Sequence, residues 1–190
     1  METPQAQFLD GQLLIAMPGM GDFRFERAVI FVCAHSAEGA MGLIINKPAP
    51  ELSFADLLSQ LKIPATIDLG STRVHFGGPV EHGRGFVLHS ADYAVEESSL
   101  HVNNGFSMTA TVDILQDMAK GAGPKRALLA LGYSGWGPGQ LESEIQANGW
   151  ITAPAEDELV FGLDDPEKWS AALRSISIDP RLLSAEGGRA

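Results

Sequence analysis

The sequence predicts an α+β fold: a single compact domain with a mixed β-sheet and flanking helices. Short apolar, β-branched runs recur along the chain, and a few segments between them carry helical spacing. Strands and helices alternate irregularly, without the sustained βαβ beat of a doubly wound sheet. The length of 190 residues fits one domain and buries a sizeable core without disulfide staples. Residues 1–10 form a loose start, 11–178 the domain and 179–190 a mobile tail.

The elements follow in order. Residues 11–18, "GQLLIAMP", are a strand stopped by Pro18. Residues 18–28 are turn-rich. "AVIFVCAH" (28–35) reads as a buried strand, and "AMGLIINKP" (40–48) as a second, ended by Pro48. Only the polar "SAEG" separates them, so they form a hairpin. "SFADLLSQLKI" (53–63) places apolar residues at 54, 57, 58 and 61 behind an N-capping Ser53, the spacing of one helix face. Residues 72–90 read as strand, glycine-rich loop, strand. A short strand follows at 106–109, then a helix from Val112 to Lys120 with Thr111 as N-cap and Gly121 as its stop. Residues 125–133 form an apolar strand, 139–147 a helix and 149–154 a short strand. After the acidic stretch containing "EDELVFG", a helix spans 166–175, with Asp165 as N-cap and Pro166 at its first position.

Composition bounds the function. The chain is 45% hydrophobic and 19% charged, ordinary for a soluble protein. Its one cysteine, Cys33, excludes an internal disulfide and any CxxC motif, and its apolar neighbours make it a buried, inert thiol. No apolar run approaches the roughly 20 residues of a spanning helix, and no basic n-region opens the chain. The expectation is a soluble, cytoplasmic bacterial protein without membrane association. Thirteen Lys+Arg against 24 Asp+Glu give a net charge of -11. A polyanion is repelled by such a chain, which disfavours direct nucleic-acid binding unless one face gathers the few cations.

Two glycine-rich stretches carry the candidate chemistry. In "GYSGWGPGQ" (132–140), strand, glycine turn and helix are the parts of an anion cradle, but the Walker and dinucleotide fingerprints are absent. Glu142 and Glu144 already complement the helix start. A nucleophile elbow, G-x-S-x-G, would be centred on Ser134, with His35 or His89 as base. Trp136 stands where that motif needs its last glycine. Trp136 reads first as a plug filling a core gap and second as a contact anchor, and Gln140 bridges backbone groups across the loop. In "HFGGPVEHGRGFVLH" (75–89), Arg84 suits a carboxylate or phosphate, or pairs with Glu81. His75, His82 and His89 recur every seven residues, a spacing that builds no metal site on one strand or helix face. Asn46 and Lys47 close a strand end near this region, and Asp22, Arg24 and Arg27 form a charged network around the first loop.

Taken together, "GQLLIAMPGMGDFRFERAVIFVCAHSAEGAMGLIINKP", "VHFGGPVEHGRGFVLHS" and "LGYSGWGPGQLESEIQANGW" resemble the AlgH/YqgE family of bacterial proteins. The match runs in order from about residue 11 to 154. It rests on Asp22, Phe25 and Arg27, then Gly39, Gly42, Asn46 and Pro48. Gly77, Gly78, Pro79, Val80, Arg84, Gly85 and His89 carry its second part; Gly132, Trp136, Gly139, Gln140, Leu141, Glu144 and Trp150 carry the third. The resemblance implies one compact mixed-sheet domain. It also brings a label of transcriptional regulator, drawn from a link to alginate control, with no settled biochemical activity and no catalytic residues to carry over. The chain departs from the pattern at Ala28, where serine is more usual, and in its terminal "GGRA", which lacks a histidine before the last alanine.

These readings converge on a binding or regulatory module. Its ligand is an unknown small molecule or protein partner, held in a cleft between the two glycine-rich segments by Arg84, Trp136 and Gln140, with Asn46 nearby. No cofactor or metal is expected, and regulation is indirect. The alternatives are a hydrolase using Ser134 with His35 or His89, and a direct DNA-binding regulator, against which stand the net charge and the missing helix-turn-helix pattern.

Overall fold

The computed structural model describes residues 7–183 apart from 20, 50, 69–71 and 104. Of the expected loose start and tail, residues 1–6 and 184–190, including the "GGRA" end, lie outside the described residues, while Pro180–Leu182 form a 3-10 turn with Pro180 buried. Among the described residues, nine strands and four α-helices follow one another. They are β1 (Gln12–Ala16), β2 (Val29–Ser36), β3 (Gly39–Ile44), α1 (Phe54–Gln60), β4 (Val74–Phe76), β5 (Val80–Ser90), β6 (Ser99–Asn103), β7 (Phe106–Thr109), α2 (Val112–Ala119), β8 (Ala127–Trp136), α3 (Gln140–Gln146), β9 (Trp150–Pro154) and α4 (Asp165–Ser175).

The strands form one curled, mixed sheet in the order β6-β7-β5-β8-β3-β2-β1-β9. The long strand β8 joins its two halves. Its first part pairs antiparallel with β5 on one side and parallel with β4 on the other; its last residues, Ser134 to Trp136, pair antiparallel with β3. The expected hairpin is β2–β3, in register from Ile30–Ile44 to Ser36–Gly39 with a bulge near Cys33.

Both faces of the sheet are covered, so the central strands read as continuous apolar runs. The two-residue period sorts them. Leu13, Ile15, Val29, Phe31, Leu43, Phe86, Leu88 and Leu128 face an inner core closed by Trp169, Ala172 and Leu173 of α4. A single π-helical turn, Glu158–Gly162, adds Leu159 and Val160 to that core. On the outer face, Leu14, Ile30, Val32 and Ile44 pack with Leu141 of α3, Trp136 and Trp150. Under the other half, Val74, Val87 and Leu129 meet Phe54 and Leu58 of α1 and Ile114, Leu115 and Met118 of α2. Each fully buried Leu, Ile or Phe contributes roughly 1.5–3 kcal/mol.

Local chemistry sets the helix starts. Ser53 caps α1 in a reciprocal capping box with Asp56. Thr111 occupies the N-cap of α2 but makes no capping bond. Four details differ from the sequence reading. Strand β8 runs on to Trp136 because β3 supplies a second partner for it. Strand β5 already begins at Val80, inside the glycine-rich segment. Strand β6, in which only Leu100 and Val102 are apolar, has no apolar run and gains its place by pairing with β7. The N-cap of α4 is Asp164; Asp165 is the first helical residue and turns inward.

Candidate functional site

The two glycine-rich segments pack on each other. Gly132 in β8 adopts a left-handed φ of 75°, and a Cβ there would stand 2.5 Å from the Gly78 carbonyl oxygen. A Cβ on Gly77 would stand 2.3 Å from the Gly132 carbonyl oxygen. Gly77, Gly78 and Gly132 thus serve backbone-to-backbone approach, whereas Gly83 and Gly139 have nothing within 4 Å of a Cβ. Beyond that crossing, Val80 pairs with Tyr133 and Gly85 with Leu131, so residues 81–84 bulge away from β8.

Beside the bulge lies an open cavity of about 910 Å³. The β5 segment contributes Val80, Arg84 and Phe86 to its walls; β8 contributes Tyr133, Gly135 and Trp136; the β2–β3 hairpin contributes His35 and Met41. Buried Phe86 and Met108 give it an apolar floor. Arg84 stands at the edge, its guanidinium carbon 5.1 Å from the Phe86 ring centroid and Nη1 3.3 Å from Glu81. More than half of the Arg84 side chain is exposed, so its pairing with Glu81 is weak and exchangeable.

The other candidate residues hold the walls. Trp136 is 8% exposed, stacks edge-on with Trp150 and donates its indole N–H to Glu144. Gln140 is exposed and accepts the Gly137 N–H through Oε1 at 2.9 Å, which ties the loop to the start of α3. Asn46 accepts from the Val29 N–H and donates to the Arg27 carbonyl, clamping the end of β3 to the start of β2. Arg84 and Trp136 meet at the cavity; Gln140 and Asn46 are not among its lining residues.

Ser134 is buried and donates to the Gly77 carbonyl at 3.4 Å. His35 accepts the Leu9 N–H at Nδ1, which assigns the Nε2–H tautomer, and donates to Glu142. His89 donates from Nδ1 to the Ser90 carbonyl and accepts from the Thr109 hydroxyl at Nε2. Each ring nitrogen of both histidines is engaged, and none of these bonds reaches Ser134. Burial pushes the His89 pKa down, opposed by the Ser90 carbonyl and Asp92. Burial, with Asp10 nearby, pushes the Cys33 thiol up to about 12.

The model of the family described as AlgH-like matches residues 13–181, which span every strand but the first residue of β1, both glycine-rich segments and α4. The chain belongs to the AlgH-like family. AlgH-like relatives of similar length include a UPF0301 protein of Nitrobacter hamburgensis, 57% identical over 99% of this chain and 90% of that protein. A UPF0301 protein of Ruegeria pomeroyi is 60% identical over 96% of this chain and 99% of its own length. The solution structure of AlgH from Pseudomonas aeruginosa superposes over all of both chains with a TM-score of 0.78 at 38% identity. Protein DIP2367 of Corynebacterium diphtheriae shares the AlgH-like fold, with a TM-score of 0.71 over 92% of this chain and 89% of that one at 21% identity. No described helix is long and apolar enough to cross a membrane.

One group of buried ionisable residues escaped the sequence reading. His75 of β4 and Asp165 and Lys168 of α4 meet in the interior, with His75 Nε2 2.9 Å and Lys168 Nζ 3.1 Å from the same Asp165 oxygen, Oδ1. The signal was present in α4: Asp165 and Lys168 share the helix face of Trp169, Ala172 and Leu173.

Proposed function

We propose that this AlgH-like protein is a cytoplasmic binding module with an indirect regulatory role, whose site is the cavity between residues 76–86 and 132–140. One observation supports the reading: both glycine-rich segments contribute walls to one open cavity with an apolar floor and Arg84 at its edge. A ligand with an apolar body and an anionic end suits that arrangement. Its body covers Phe86 and Met108, and its anion replaces Glu81 at the Arg84 guanidinium. A protein segment with an acidic side chain offers the same chemistry. Trp136 forms part of the wall, while Gln140 and Asn46 fix the loop and strand ends that shape it. Regulation through such a ligand is compatible with a net charge of -11, which opposes direct contact with nucleic acid.

Thermal unfolding against a panel of metabolites and nucleotides tests this. A ligand at 100 times its Kd raises stability by about 2.7 kcal/mol. The expected result is a stabilising compound whose effect is lost in Arg84→Ala. A stabilising compound that binds Arg84→Ala equally well removes the proposal from this cavity.

A further inference from the structure

We infer that the small cavity above His75 and Lys168 is a second binding site, one that takes a small oxyanion, a carboxylate or phosphate group. It shares no lining residue with the Arg84 cavity and measures about 200 Å³. Arg73, His75, Asp164, Asp165 and Lys168 supply its polar lining.

His75 Nδ1 faces the Leu129 carbonyl at 3.2 Å and Nε2 faces the Asp165 carboxylate at 2.9 Å. Both partners are acceptors, and a neutral imidazole has one N–H, so only the imidazolium donates to both. Lys168 Nζ donates to the Ile45 carbonyl at 2.7 Å and reaches Asp165 Oδ1 at 3.1 Å. Two cations therefore share one carboxylate, and all three side chains are at most 5% exposed.

Burial raises the Asp165 pKa, but His75 and then Lys168 outweigh it and hold the carboxyl below its ordinary range. Burial pushes Lys168 down and Asp165 only partly restores it, as expected of a cation short of counter-charge. At the rim, Arg73 Nη2 pairs with Asp164 at 3.1 Å, a neutral couple that does not cancel the excess below. A buried uncompensated charge is costly. Lys168 keeps a third N–H beyond the two bonds above, and Arg73 keeps N–H groups not used by Asp164. An oxyanion in the cavity accepts from both and balances the interior charge. Lys168 is buried at a fixed position, and the cavity volume is ample for a carboxylate or phosphate group.

The test follows the histidine ring resonances of the full-length, isotopically labelled protein. Sodium phosphate and sodium acetate are titrated separately at constant ionic strength against sodium chloride. The expected result is a saturable shift of the His75 ring with phosphate or acetate and none with chloride, while exposed His82 stays still. The tighter of the two probes identifies the ligand group as phosphate or carboxylate. Arg73→Ala weakens the binding at least tenfold, and Lys168→Met abolishes it. If Lys168→Met does not fold, Arg73→Ala decides, since Arg73 is a rim residue with over half its side chain exposed. Absence of a saturable shift, an equal shift at His82, or unchanged affinity in Arg73→Ala overturns the proposal.

Discussion

Gly78 and Gly132 meet backbone to backbone, each occupying the space a side chain would need on the other's strand. A Cβ on Gly132 would lie 2.5 Å from the Gly78 carbonyl oxygen, and one on Gly78 would lie 2.1 Å from the Tyr133 carbonyl carbon. Two segments that are more than 50 residues apart are thereby locked at the point where β8 passes from β5 to β3. The bulge of residues 81–84, and with it the position of Arg84, hangs on this crossing.

Gly78→Ala is therefore expected to lower stability by about 3 kcal/mol, since only a backbone shift relieves the clash. Gly83 offers a control within the same segment: nothing lies within 4 Å of a Cβ there. Gly83→Ala should change stability by less than about 0.5 kcal/mol. Urea unfolding of the two variants checks the contrast. Equal losses would mean that the segment's glycines serve chain flexibility rather than close approach.

Cys33 should be inert in the native state. Its thiol is 2% exposed and is held protonated by burial. A thiol-reactive disulfide reagent at neutral pH should label it only at the rate of unfolding, and fully in denaturant. Rapid labelling of the folded protein would contradict the packing of β2.

Acid should weaken the fold through His89. Its pKa is depressed in the folded state from an ordinary 6.5 by burial, so the unfolded chain binds the proton first. Stability is then lost as pH falls below 6.5 toward the folded pKa. Chemical unfolding between pH 7.5 and 5 should show this slope, reduced in His89→Gln. An unchanged slope in that variant would remove His89 as its source.

Much of this architecture was legible in the sequence, because β1, β2, the end of β3 and the first part of β8 are apolar runs buried on both faces. Ser53 and Gly121 marked helix ends through side-chain and backbone chemistry that is local. What was not legible depended on partners distant in the chain. In β6 only Leu100 and Val102 are apolar, too few to form a run, and the segment is a strand through its pairing with β7. Asp165 looks like an N-cap beside Pro166, yet it is drawn inward by His75, 90 residues earlier. For the candidate site, the two glycine-rich segments and Arg84 were visible as motifs. The hairpin residues His35 and Met41, which close the cavity, carry no local signal for that role.

The central claim, that the Arg84 cavity binds a ligand, is tested most directly by backbone amide shift mapping. The labelled protein would be titrated with the compound that most stabilises it in the thermal panel. The account predicts saturable shifts confined to residues 34–41, 80–86 and 133–136, weakened in Arg84→Ala. Shifts elsewhere, with these three segments unmoved, would contradict it.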